Sequence, residues 1–207
     1  MKTRHLFIAF AAIMLLGATM PVQAQNKKKK VKRPTTTATT TSTTTAEVGK
    51  GDLPIFDLRG PVKSVKMETV FSADGGIFLF DRKGKWTKMD GVKAEEAMSS
   101  TFFYDDHKRL AAMGMGNTSI EFTYDNHGNV AKTNEVGTIY ESTTVYTYNQ
   151  EGEVTKISSR FASSGSKAEN TIYNVTILDR DSHGNWTKRK VIGGGENKTE
   201  TRTITYY

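Results

Sequence analysis

Phe122-Thr123-Tyr124-Asp125-Asn126-His127-Gly128-Asn129-Val130-Ala131-Lys132 reads as strand, tight turn, strand. Aromatic residues alternate with Thr up to Tyr124, Asp125 opens a turn, and Gly128 closes it. An Asp in the first position accepts hydrogen bonds from the backbone two residues on. The Gly supplies the positive φ that a type I turn with a G1 bulge needs. Eleven residues thus specify a β-hairpin by local chemistry alone.

The pattern recurs. The turn openers are Asp81, Asp105, Asp125, Asn149 and Asp181, at steps of 24, 20, 24 and 32 residues. Gly84, Gly128, Gly152 and Gly184 close four of the turns. Lys108 stands in the Gly position of the second copy, so that turn is expected to be strained or built differently. A recurring step of this size marks a repeat of one supersecondary unit.

Such a turn pairs the residue before the opener with the residue five after it. The expected pairs are Phe80 with Trp86, Tyr104 with Leu110, Tyr124 with Val130, Tyr148 with Val154, and Arg180 with Trp186, the last as a cation–π pair. Strict alternation puts Phe78 with Lys88, Phe102 with Ala112, Phe122 with Lys132, Tyr146 with Lys156, and Leu178 with Lys188 on the same face. One face is then aromatic and the other mostly small or Thr. The fold class is all-β: an antiparallel meander of hairpins, with 11 or 12 short strands in a single curved or twisted sheet. The aromatic face must be buried by curling or by packing on residues 48–76. Whatever part of Phe80, Trp86, Tyr104, Tyr124, Tyr148 and Trp186 stays open is a binding surface for sugar rings or a protein partner.

The remaining segments fit around these hairpins. Val62–Phe71 alternates as a strand, with Val62, Met67 and Val70 inward, and Ser72–Gly76 reads as a turn. Val92–Ser99 has helix-forming composition without an apolar stripe, so it is a turn of helix or an outer strand segment. Met113–Asn117 and Ser163–Lys167 read as return loops, Gly193-Gly194-Gly195 closes the last hairpin, and Thr199–Tyr207 is a final strand.

Residues 1–24 have the layout of a secretory leader: Lys2, Arg4 and His5, an apolar run from Leu6 to Leu16, and Val22-Gln23-Ala24 as the cleavage site. Residues 25–47 hold a basic arm (Lys27, Lys28, Lys29, Lys30, Lys32, Arg33) and a Thr-rich tether open to glycosylation. The folded domain is 48–207. This layout implies an exported protein, periplasmic or at the cell surface. Of 29 Lys and Arg, two lie in the leader and six in the arm; of 22 Asp and Glu, one is Glu47. The domain is therefore balanced at 21 of each, and the pI near 9.4 describes the N-terminus. A nucleic-acid groove needs basic residues gathered on the folded surface, and the sequence shows no such cluster. The arm retains a weak, salt-dependent attraction to anionic surfaces. With no Cys there is no disulfide and no thiolate site.

Tyr124 to Asn129, and Asp181-Ser182-His183-Gly184-Asn185-Trp186, resemble the YD repeats of the RHS family over about residues 78–207. Small secreted bacterial proteins with a few such hairpins behind a leader are similar in size. The resemblance implies a hairpin fold and an envelope setting, and it supplies no catalytic residues. Five copies are too few to close the shell that long arrays form. His107, His127 and His183 share a turn position but sit about 10 Å or more apart, too far for one metal without inward leaning. No nucleophile elbow, zinc helix or phosphate loop is present. The reading is a non-enzymatic binding module without cofactor or metal, its ligand a glycan or protein. A self-associating structural protein is the alternative, and a hydrolase using Asp179, Asp181 and His183 ranks last.

Overall fold

A computed structural model describes residues 51–69, 72–97 and 100–207. The leader, the basic arm and the Thr-rich tether lie outside these residues, as does Val70. The described chain is nearly all β. A 3₁₀ turn at Leu53–Phe56 precedes β1 (Val62–Thr69), β2 (Ser72–Phe80), β3 (Trp86–Met89) and β4 (Val92–Lys93). A single helical turn, α1 (Ala94–Ala97), leads to β5 (Ser100–Tyr104), β6 (Leu110–Met115), β7 (Thr118–Tyr124) and β8 (Val130–Val136). Then come β9 (Tyr140–Tyr148), β10 (Val154–Ser163), β11 (Glu169–Arg180), β12 (Trp186–Gly193) and β13 (Glu196–Tyr206). No helix among the described residues is long and apolar enough to cross a membrane.

All 13 strands form one antiparallel sheet in the order β4-β3-β2-β1-β13-β12-β11-β10-β9-β8-β7-β6-β5. The chain starts mid-sheet, runs to one edge, and re-enters at the other. If flat, the sheet would hold its edge strands about 58 Å apart. The link from Lys93 to Ser100 spans at most about 25 Å. The sheet must therefore curl, and its ends meet: Trp86 of β3 stacks on Phe102 of β5 with ring centroids 5.4 Å apart. Backbone pairing does not close the sheet.

The five turns are built as their sequence implies. In each, the N–H of the fourth residue donates to the opener's carbonyl, at 2.8–3.1 Å. Oδ1 of Asp81, Asp125 and Asp181 accepts N–H groups two and four residues on, at 2.8–2.9 Å. Asp105 and Asn149 accept the N–H four residues on at 2.9 and 2.8 Å. Lys108 takes the same left-handed conformation, φ 61°, as Gly84, Gly128, Gly152 and Gly184 at 74–83°. Its turn is strained and not rebuilt.

The five pairs flanking the turns are those expected. The pairs beyond them differ by one residue: Phe78 faces Met89, Phe102 faces Met113, Phe122 faces Thr133, and Tyr146 faces Ile157. A bulge just after Trp86, Leu110, Val130 and Val154 shifts the register. Strict alternation would have turned Lys88, Lys132 and Lys156 into the core. Burying an unpaired ammonium costs several kcal/mol, and one extra residue moves it to the solvent face. In the fifth copy the bulges fall at Ile177–Arg180, so Ile177 faces inward and Leu178 is exposed.

Other expectations are corrected. Ser72–Gly76 is strand, paired to β1 through Met67–Gly76 and Thr69–Ser72. Met113 is buried in β6, and only Gly116 and Asn117 turn. Over its described part, Val92–Ala97, the segment expected as a turn of helix or an outer strand is two strand residues and then the helical turn, while Met98 and Ser99 lie outside the described residues. Val65 is buried along with Val62 and Met67.

Lys108→Gly should raise stability by about 1 kcal/mol, because only the strain of a Cβ at positive φ is removed. Gly128→Ala should lower it by a similar amount. Urea unfolding of both variants measures this, and equal midpoints would contradict it.

Candidate functional site

The curled sheet has two ends with different chemistry. The turns of the repeat ring one end, and residues 51–61 cross it. Gly51 lies against the first turn, where a Cβ would come within 2.8 Å of the Gly84 backbone, and the Asp52 N–H donates to Gly84 O at 2.9 Å. Leu53, Ile55, Phe56 and Leu58 are buried. Phe56 meets Phe78, Phe80 and Trp86 with centroids 5.0–5.6 Å away. Arg59 reaches the last two turns, donating to Gly152 O at 2.5 Å and exchanging backbone bonds with the Asn185 amide at 2.8 and 2.9 Å.

Two groups hold this segment. Arg202, buried on β13, donates to the carbonyls of Phe56, Asp57 and Trp186 at 2.6–2.8 Å. Its guanidinium lies 3.8 Å over the Trp186 ring. Burial pulls its pKa below the usual arginine value, and Asp57 opposes that shift. Trp186 Nε1 donates to Asp57 at 2.8 Å, and the buried Arg189 pairs with Glu200 at 2.6 Å. The second group is Asp52. Its Oδ2 accepts the Trp86 N–H at 2.9 Å, and the Leu110 N–H also favours the carboxylate. One carboxylate thus bridges the first and second hairpins where the sheet ends meet. Oδ1 is buried without a hydrogen bond, and burial raises the carboxyl to about 6.

The aromatic residues singled out by the repeat fall mostly in this core. Phe80, Trp86 and Trp186 are buried. Tyr124 and Tyr148 are half-buried, with hydroxyls donating to Leu110 O and Val130 O at 2.7 Å. Tyr104 is partly open, with Lys85 Nζ 4.9 Å over its ring. Arg180 does not cover Trp186; its guanidinium pairs with Glu153 at 2.5 and 2.8 Å, and Arg189 and Arg202 lie over the indole. His107 and His127 are exposed, while the His183 ring stacks on Tyr206 at 3.7 Å. Asp181 has both oxygens engaged, Oδ2 by the Tyr206 hydroxyl, and Asp179 bonds the Arg180 N–H. No group of three or more His, Cys, Asp or Glu among the described residues could hold a metal ion.

The opposite end is polar on its inner wall. Inside the Tyr146–Ile157–Tyr173 row runs a row of hydroxyls, Thr133–Thr144–Ser159–Thr171, each pair directly opposite across adjacent strands. Thr133 and Thr144 are buried; Ser159 and Thr171 are half-buried. The next row outward is Glu135–Ser142–Phe161–Glu169. Rows along a strand lie about 7 Å apart, and four adjacent strands span about 14 Å. At the rim Tyr140 stacks on Phe161, centroids 5.8 Å and planes 23° apart, and donates to Glu135 at 2.6 Å. Gly137 makes room for that ring, since a Cβ there would lie 2.3 Å from it. Phe161 remains 41% exposed on this otherwise polar wall. The repeat pattern does not reveal this wall, because it lies beyond the hairpin tips in the long strands β9–β11. The inward parity of Tyr146 reaches Thr144, Ser142 and Tyr140 along β9, but the bulge after Val154 that turns Ile157, Ser159 and Phe161 to the same face is not legible in the sequence.

No protein-family model matches the sequence, and no curated protein matches it.

Arg202→Met should destabilise the domain by about 3 kcal/mol, because three buried carbonyls lose their donor; an unchanged unfolding midpoint would refute this. Asp52 binds protons more readily folded than unfolded. Its contribution to stability is therefore full below about pH 4 and is lost as pH rises through about 6. The stability of Asp52→Asn relative to the parent should rise between pH 4 and pH 7. A pH-independent difference in urea unfolding would contradict that.

Proposed function

We propose that this is a non-enzymatic binding module of the bacterial envelope, and that it takes a neutral glycan on the polar inner wall. The observation that carries the reading is the arrangement at that end. A hydroxyl row lies beside carboxylates and ends in a stacked aromatic pair, half-buried Tyr140 and exposed Phe161. Sugars present alternating hydroxyls and an apolar C–H face. Carboxylates and hydroxyls satisfy the first, and an aromatic ring satisfies the second. Phe161 offers that ring. Glu135, held by the Tyr140 hydroxyl, and Glu169 offer acceptors, and Ser142, Ser159 and Thr171 offer groups that both donate and accept.

Two further features support the setting. The hairpins resemble YD repeats of secreted proteins, and the N-terminal sequence has the layout of an export leader. Self-association has less to support it, because the aromatic face meant to drive it is largely covered within the chain by residues 51–61 and by curling. A hydrolase at Asp179, Asp181 and His183 is disfavoured because Asp181 is committed to its turn and to Tyr206.

Titration with a panel of neutral oligosaccharides tests the reading. Phe161→Ala should weaken the best ligand about tenfold, roughly one aromatic contact, without lowering the unfolding midpoint. Trp86→Phe, deep in the core, should leave affinity unchanged. Absence of binding across the panel, or equal affinity for Phe161→Ala, would overturn it.

A further inference from the structure

The whole domain is neutral, yet the sheet sorts its charges. On the convex face of β8–β12, Lys132, Lys156 and Lys190 point outward. Their cross-strand partners are Thr123 and Val145, Thr147 and Asn174, and Thr176 and Thr199, none of them acidic. Arg160 on the same face is matched by Glu141 at 2.9 Å, and Lys188 stands opposite Asp179. The three lysines come from the bulged strands, so the register shift that keeps Lys132 and Lys156 out of the core also gathers them here. Exposed aliphatics lie among them: Val145 (42%), Ile172 (52%) and Ile192 (44%). Ser158 faces both Val145 and Ile172, so these side chains form part of one surface about 19 Å across five strands.

From this geometry we infer that the convex face of β8–β12 rests on an anionic lipid bilayer. A soluble polyanion would use the lysines alone and leave the aliphatics exposed to water. An interface of phosphate headgroups above acyl chains uses both: ammonium groups meet phosphate, and the branched side chains enter the boundary. The basic arm, Lys27 to Arg33, carries the same charge preference on the same chain, so two weak anchors act together. The surface is separate from the polar inner wall, and its occupancy leaves that wall free.

Vesicle co-sedimentation with the full chain tests this, comparing mixed phosphatidylglycerol–phosphatidylcholine vesicles with pure phosphatidylcholine. Binding should require phosphatidylglycerol and weaken with salt. Lys132→Ser, Lys156→Ser and Lys190→Ser should each lose about fivefold, and together about a hundredfold. Ile172→Ser with Ile192→Ser should lose several-fold at every salt concentration. Unfolding midpoints confirm that each variant is folded; Ile172 and Ile192 are exposed, and the three lysines are half-buried on the outer face. Retention of parental binding by the triple lysine variant would assign all attraction to the arm and overturn the inference. So would equal binding to soluble polyphosphate that Ile172→Ser and Ile192→Ser leave unchanged.

Discussion

A one-layer sheet with an aromatic face cannot leave that face in water, and the described residues hold no second layer to cover it. The remaining solution is to curl the sheet and fill its inside from the chain itself. The short link through Ala94–Ala97 requires the two edges to lie close together. Residues 51–61 then occupy the turn end of the enclosed space. Burial of Phe78, Phe80, Trp86 and Leu110 around Phe56 and Leu58 is the driving term. The polar backbone of the inserted segment would be costly in such a place without partners. Arg202 supplies three donors, Trp186 and Asn185 supply side-chain bonds, and the turn at Gly84 accepts one N–H. Inner packing and these bonds depend on each other, because neither forms on a flat sheet.

The register shift after each turn has consequences at every level. It exchanges inward Lys88, Ala112 and Lys156 for Met89, Met113 and Ile157, which completes the core. It also brings Arg189 inward, where Glu200, Asp57 and the Trp186 ring make a buried guanidinium tolerable. The same displacement lines the outside with Lys132 and Lys156. Charge segregation is therefore a by-product of core packing rather than a separate device.

Along the inner wall the chemistry is graded. Apolar rows near the turns give way to hydroxyls and then to carboxylates beside an aromatic pair. Inward positions of a fully filled interior would be apolar throughout. Here the filling segment ends at one side: Thr133 and Thr144 are still buried, while Ser142, Ser159 and Thr171 beyond them are half-open to solvent and keep part of their hydration. That opening leaves the far end of β9–β11 accessible to the ligand proposed for it.

The sequence by itself determined the hairpins, their five flanking pairs and the all-β class. Those features rest on bonds spanning two to four residues, so the residues that make them sit side by side in the chain. Even the Lys108 turn, where Gly is missing, keeps its form because Asp105 still accepts the Arg109 N–H. Only the tertiary structure decided the bulges, since the cost of burying Lys132 exists only once an inside exists. It also decided the pairing of β1 with β13, which joins Ser64 to Thr205, and the path of residues 51–61 through the curled sheet. The polar wall follows the same rule: Ser159 and Phe161 become a site through which strands stand beside them and where the filling stops, and no local spacing encodes either.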